Sequence, residues 1–291
     1  MIEIIFQNIG DAKRFHHFLQ MSLISSDLRN HDILLFEDQH KVSVKMERIN
    51  QEHMSLVKKS FYHFIIEIKQ NDWFRMILED HYYYKDPEEQ EQILDIIQSI
   101  LEGNRIDLVN LIDDLEQDQR LEEVIDQMFN ENVSFSFDSF VRFRMRPFMD
   151  QLEKYVEISI DEYKMEQDYQ MFIQTLRDFL TGRKSKFSHL HLLMNDEVCF
   201  YDDQFYEIKR ADLFKMIDRK LLSNHPVYVD SVTIAPLLSI APSVIYLYTD
   251  DLEQPLVRTI RNIFEERVVV KSMNSFYENV PLNTYTADEK M

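Results

Sequence analysis

The chain has 291 residues, 45% of them apolar and 29% charged, with a formal net charge of −20. Those proportions belong to a globular protein, and the negative balance argues against phosphate backbones and anionic membranes as main partners. The single Cys199 excludes an internal disulfide framework and fits a reducing compartment.

Only 3 glycines and 7 prolines favour long helices over turn-rich β architecture, while 21 Phe and 14 Tyr point to aromatic packing between those helices. The first 20 residues lack the charged start, apolar core and small-residue cleavage site of a signal peptide, so the protein reads as cytoplasmic. "MIEIIF" reads as a short apolar strand, and Gly10 and Asp11 then open a helix with Phe15, Phe18, Leu19 and Leu23 on one face. "DILLFED" and "KVSVKME" follow as strands, the second alternating Val42, Val44 and Met46 with charged neighbours. Residues 1–48 therefore predict a β-α-β-β unit.

From Asn50 the period turns helical, through Leu56, Phe61, Phe64, Ile65 and Ile68 and on to Trp73 and Ile77. Asp86 and Pro87 start a helix striped by Ile93, Ile97, Ile100 and Leu101, which Gly103 and Asn104 end. Two shorter stripes follow, Leu108 to Leu115 and Leu121 to Met128. Residues 86–128 hold 14 Asp/Glu against 2 Lys/Arg, a local charge of −12. Such a run reads first as a solvated face and second as a surface for a basic protein partner.

A long helix is predicted over 138–181, with strands after Lys186: "HLHLLM", "EVCFYD", "YEI", "VYV", "VIYLYT" and "RVVVK", separated by helices near 211–222 and 254–265. The last two strands and the helix between them have the length of a β-α-β crossover. Residues 231–249 are nineteen without a charge, but Pro236 and Pro242 interrupt them. A buried helix turning into a buried strand fits them better than a membrane span. The fold class is α+β, with a helical region over 49–186, a C-terminal α/β part over 187–276 and a loose tail over 277–291.

The segment "SFVRFRMRP" packs three arginines into five positions just before Pro147. With steps of 100° from Phe148, the residues Leu152, Tyr155, Ser159, Tyr163, Tyr169, Ile173 and Leu180 share one arc with Glu162 and Glu166. A carboxylate on an apolar face needs a partner. On a straight helix Arg144 and Glu166 would stand about 33 Å apart, but a break at Pro147 would let the arginines fold back. Arg142 or Arg144 is then expected to hold Glu162 or Glu166 inside the protein, with Tyr169 beside them.

Phe140, Arg142-Phe143-Arg144, the long helix and "EQDYQMFI" at 166–173 resemble the YtxC-like family, which is linked to sporulation in spore-forming bacteria. "LLSIAPSVIYLY" and "IRNIFEERVVV" are similar to that family's closing α/β part, so the likeness covers roughly the C-terminal two-thirds of the chain. Pro147 and Pro236 depart from the family's pattern. The resemblance implies a link to sporulation and no established activity, so it carries over no catalytic residues.

Three scattered glycines cannot build a phosphate loop, and no Gly-x-Ser-x-Gly elbow occurs, so no cofactor is expected. His189, His191 and Cys199 form a weak zinc alternative without an evident fourth ligand. Glu162 and Glu166 could act as an acid–base pair, though an ion-pair role is the simpler reading. The sequence thus favours a non-enzymatic interaction or structural protein, with a polar ligand or enzyme site around Arg142, Arg144, Glu162 and Glu166 as the alternative.

Overall fold

Strand side chains alternate, so Ile2 and Ile4 point to one side of β1 (Ile2–Ile5), and both are fully buried. The computed structural model describes residues 2–25, 34–37, 40–45, 51–112, 117–130, 133–195, 197–218 and 232–279. Its contacts divide the chain into two units, Met1–Met165 and Glu166–Met291.

In the first unit β1 pairs antiparallel with β3 (Lys41–Val44), which pairs antiparallel with β2 (Leu34–Glu37). On its other side β1 runs parallel to a two-residue strand, β4 (Phe135–Ser136), giving the order β2-β3-β1-β4. Met46 lies outside the described residues. Helix α1 (Ile9–Ser25) is opened by Asn8, whose Oδ1 accepts the Gly10 N–H at 2.7 Å, and it buries Phe15, Leu19 and Leu23 completely. These residues belong to one apolar cluster that continues through the helical region to Tyr163.

Helices α2 (Gln51–His63) and α3 (Gln70–Asp80) are joined without a loop by a π turn, Phe64–Lys69. Next come α4 (Pro87–Leu101), α5 (Ile106–Val109) and α6 (Gln117–Asn130). Phe61 is the aromatic hub: the rings of Phe15, Phe129, Phe135, Phe137 and Phe140 lie 5.5–6.0 Å from its own. Edge-on geometry dominates among them, as the ring quadrupoles prefer.

The long helix is broken, one residue earlier than the proline rule places it. Helix α7 (Phe137–Arg144) ends at Met145 (φ −99°, ψ 14°), and α8 (Arg146–Leu180) starts afresh with Pro147 in its first turn. A missing N–H costs nothing in a first turn, so Pro147 starts α8 instead of interrupting it. Helix α8 runs on into the second unit, and all of residues 164–171 are exposed.

The second unit has β5 (His189–Met194), β6 (Val198–Tyr201), β7 (Val244–Tyr248) and β8 (Val268–Lys271) in the order β6-β5-β7-β8. The strands β5, β7 and β8 are parallel, and α11 (Pro255–Phe264) makes the crossover between the last two. Helix α9 (Arg210–Met216) follows β6, and α12 (Met273–Asn279) closes the described chain, taking in the first three residues of the expected tail. The uncharged segment becomes α10 (Ile234–Ile240), a left-handed Ala241 and then β7. No helix among the described residues is long and apolar enough to cross a membrane. Of the remaining expected strands, "YEI" reduces to a single bridge between Tyr201 and Glu207, and "VYV" lies outside the described residues.

Candidate functional site: a cleft in the first unit

The π turn gives its two sides different work. On one side Lys69 is buried, its Nζ 2.8 Å from Asp11 Oδ2 and 3.0 Å from Asp72 Oδ2. Arg14 Nη2 reaches the same two carboxylates, at 2.5 Å and 2.6 Å, so two cations and two anions close a neutral set at the start of α1. Burial pushes the Asp72 carboxyl up, but the hydrogen bonds from Arg14 and Lys69 outweigh it and hold the group below its usual range.

On the other side Ile66, Glu67 and Gln70 face a cleft of about 840 Å³. Asn71, Phe74 and Arg75 extend that wall along α3, and Glu91, Leu94, Asp95 and Gln98 form the opposing wall on α4. Phe148 and Tyr155 of α8 also line it. The spacing of Glu91, Asp95 and Gln98 is one helical ridge, so the rim is polar while Leu94 and Ile97 remain buried. Asp86 fixes where that ridge begins, its Oδ1 accepting the N–H groups of Glu88 and Glu89 at 2.8 Å and 3.2 Å. Arg75 and Glu91 join the two walls by an ion pair of 2.7 Å.

Gln70 is the unusual member. The residue is 9% exposed, lines the cleft, and its carboxamide has no hydrogen-bond partner among the described residues. The amide atoms themselves stay open to the cleft, where solvent or an entering polar group can bond them. The chemistry on offer is an apolar floor, an acidic rim and one amide donor–acceptor.

The residues expected to form an internal arginine cluster lie mostly at the surface. Arg142 and Arg144 are exposed, as is Phe143 at 72%, with the Arg142 guanidinium 5.5 Å from its ring. Glu162 is half-buried and takes Arg105 at 2.5 Å. Glu166 is exposed, and Tyr169 accepts a hydrogen bond from Asn262 Nδ2 at 3.1 Å. The arc drawn on the helix assumed that one face stays covered along its whole length, and residues 164–171 are exposed on every face.

In the second unit His191 is buried, with Nδ1 2.9 Å from the Tyr248 hydroxyl and its ring against Phe205, Tyr246 and Tyr248. Burial, helped by nearby Lys271, pushes its pKa down to about 4. His189 stacks on Tyr246, while Cys199 pairs in register with Leu193. Among the described residues no group of three metal-ligating side chains converges.

Sequence reasoning named Asp11 only as a helix opener and passed over Arg14, Lys69, Gln70 and Asp72. A signal was available in the stripe itself. Nine steps of about 100° put Phe64 and Trp73 on opposite sides of an ideal helix. Both are buried in one cluster, which requires the phase slip that the π turn supplies.

Architecture alone makes the chain an α+β protein with an acid-rimmed helical cleft in its first unit. The YtxC-like family model matches residues 55–269, and the uncharacterized protein YtxC of Bacillus subtilis (strain 168) is 34% identical over 276 residues. That alignment covers 95% of this chain and 96% of the relative, so it takes in most of the first 48 residues as well. The chain belongs to the YtxC-like family. No solved structure matches it.

Proposed function

We propose that this is a non-enzymatic interaction protein of the cytoplasm that acts in sporulation, and that its acidic helices meet a basic protein partner. The sporulation link is what the family resemblance implies. One observation carries the choice of partner. Glu88, Asp95, Asp107, Glu122 and Glu123 are exposed and make no ion pair among the described residues. Carboxylates crowded without cations raise the local negative potential, and a basic surface relieves it while speeding encounter. The alternative, a ligand or enzyme site around Arg142, Arg144, Glu162 and Glu166, has less behind it, because Glu162 is engaged by Arg105.

The test is capture from sporulating cells with tagged wild type and with a Glu88→Lys/Glu122→Lys/Glu123→Lys variant. The expected outcome is a basic protein held by wild type and lost by the variant, with thermal melts unchanged. Equal capture by both would refute the acidic surface as the contact.

A further inference from the structure

Among the first unit's surfaces, the cleft between the π turn and α4 combines features that select one kind of occupant. We infer that it takes an amphipathic, basic α-helix from the partner, seated with its apolar stripe on Phe74, Leu94 and Phe148 and its cations between Glu67 and Asp95. This deepens the basic-partner reading above and rests on it.

The dimensions fit first. The cleft is open along one side, as a helix lying in a groove requires. The α4 wall has 15 residues, about 22 Å of helix, so a partner helix could run along it. Polarity fits next. A small-molecule site converges its polar groups on the ligand. Here Glu67, Glu91 and Asp95 are exposed on the rims, where lysines or arginines flanking an apolar stripe would lie. Glu91 already pairs with Arg75, and Glu67 Oε1 stands 2.9 Å from His63 Nδ1, so Glu67 and Asp95 are the rim carboxylates with no Lys or Arg partner among the described residues.

Gln70 supplies the second, independent observation. The residue is nine-tenths buried, and its unpartnered carboxamide, still open to the cleft, can bond a polar side chain on the inward face of the docked helix. The Lys69 set on the reverse side pins the π turn to Asp11, so Gln70 is held in place before anything binds. An acidic or purely apolar helix would leave the rim charges uncompensated.

The experiment uses the full chain and a fluorescein-labelled synthetic peptide of about five turns, with leucines at helical spacing and lysines elsewhere. Two controls share its length: the same residues in shuffled order, and a version with Glu for every Lys. Anisotropy is expected to show binding of the periodic lysine peptide, weakening as salt is added. The shuffled peptide should bind at least about tenfold more weakly, and the glutamate peptide not at all. Glu67→Lys/Asp95→Lys should lower affinity by at least about tenfold, and Gln70→Leu by a few-fold, each with an unchanged melt. Equal binding of the shuffled peptide, or wild-type affinity in the charge variant, would overturn the inference. A concentration-dependent dimer of the chain alone that the charge variant abolishes would put a second copy in the cleft instead, and would overturn it too. If capture from cells needs Glu122 and Glu123 but not Glu67 and Asp95, the basic-partner reading stands and the cleft assignment falls.

Discussion

Lys69 and Glu166 are both charged helical residues, and the structure gives them opposite weights. Lys69 is buried among two carboxylates with Trp73 beside it; Glu166 is exposed. Stranding a buried charge costs about 3–5 kcal/mol, but Arg14 would still hold Asp11 and Asp72 if Lys69 were lost. Lys69→Met is therefore expected to cost about 2 kcal/mol in urea melts, and Glu166→Ala less than about 0.5 kcal/mol. A second residue-scale expectation concerns pH. The His191 pKa is about 4 in the folded chain, against 6.5 for a free imidazole. Between those values the unfolded chain takes up a proton that the folded chain refuses. Stability is thus undiminished above pH 6.5 and falls toward pH 4, by up to about 3 kcal/mol. His191→Phe should flatten that part of the pH–stability curve, and an unchanged slope would mean that another group sets it. Neither weight was legible from the residues alone. Glu166 drew attention because it shared an arc with apolar positions, while Lys69 looked like one more surface lysine.

Elements were read better than single charges. The stripes led by Phe61, Ile93 and Leu121 are helices, and "HLHLLM", "VIYLYT" and "RVVVK" are parallel strands of one sheet. Local signals suffice there because period and chain punctuation are local. The two-residue β4 was missed because its only reason to be a strand is β1, some 130 positions away. The π turn was missed because its signature is a slip between two stripes, each of which looks regular. Strain at an element's end is likewise invisible to pattern. Glu265, which closes α11, has φ 49° and ψ −121°, a conformation that suits glycine. Its ion pair with Arg177 at 2.9 Å is largely exposed and adds little. Glu265→Gly is expected to stabilise the protein by about 1 kcal/mol, read as a higher denaturant midpoint with an unchanged slope.

At the scale of the whole molecule, each unit has its own main apolar core among the described residues, one from Ile2 to Tyr163 and one from Ile173 to Phe264, with a small further cluster of Leu193, Tyr248 and Phe276 in the second unit. The chain's one tryptophan, Trp73, is in the first. Its fluorescence therefore reports on one unit, whereas far-UV circular dichroism reports on both. Leu238→Ala, in the second core, should cost about 2–5 kcal/mol there. The dichroism melt of that variant is expected to begin early while the fluorescence midpoint stays at its wild-type value. Coincident midpoints would mean that the cores unfold as one. The division into units was hidden from the sequence because it falls inside α8, where the helical period does not change.

That stretch of α8 has a kinetic consequence. Over residues 164–171 every side chain is exposed, so the main-chain bonds there draw little protection from packing. Its amides should be the first in the interior of α8 to trade hydrogen for deuterium, well ahead of those around the buried Leu152 and Leu176. Brief trypsin treatment should likewise nick the chain after Lys164 before it cuts elsewhere in that helix. Any protease able to cut only open backbone would meet the same soft point in the native chain.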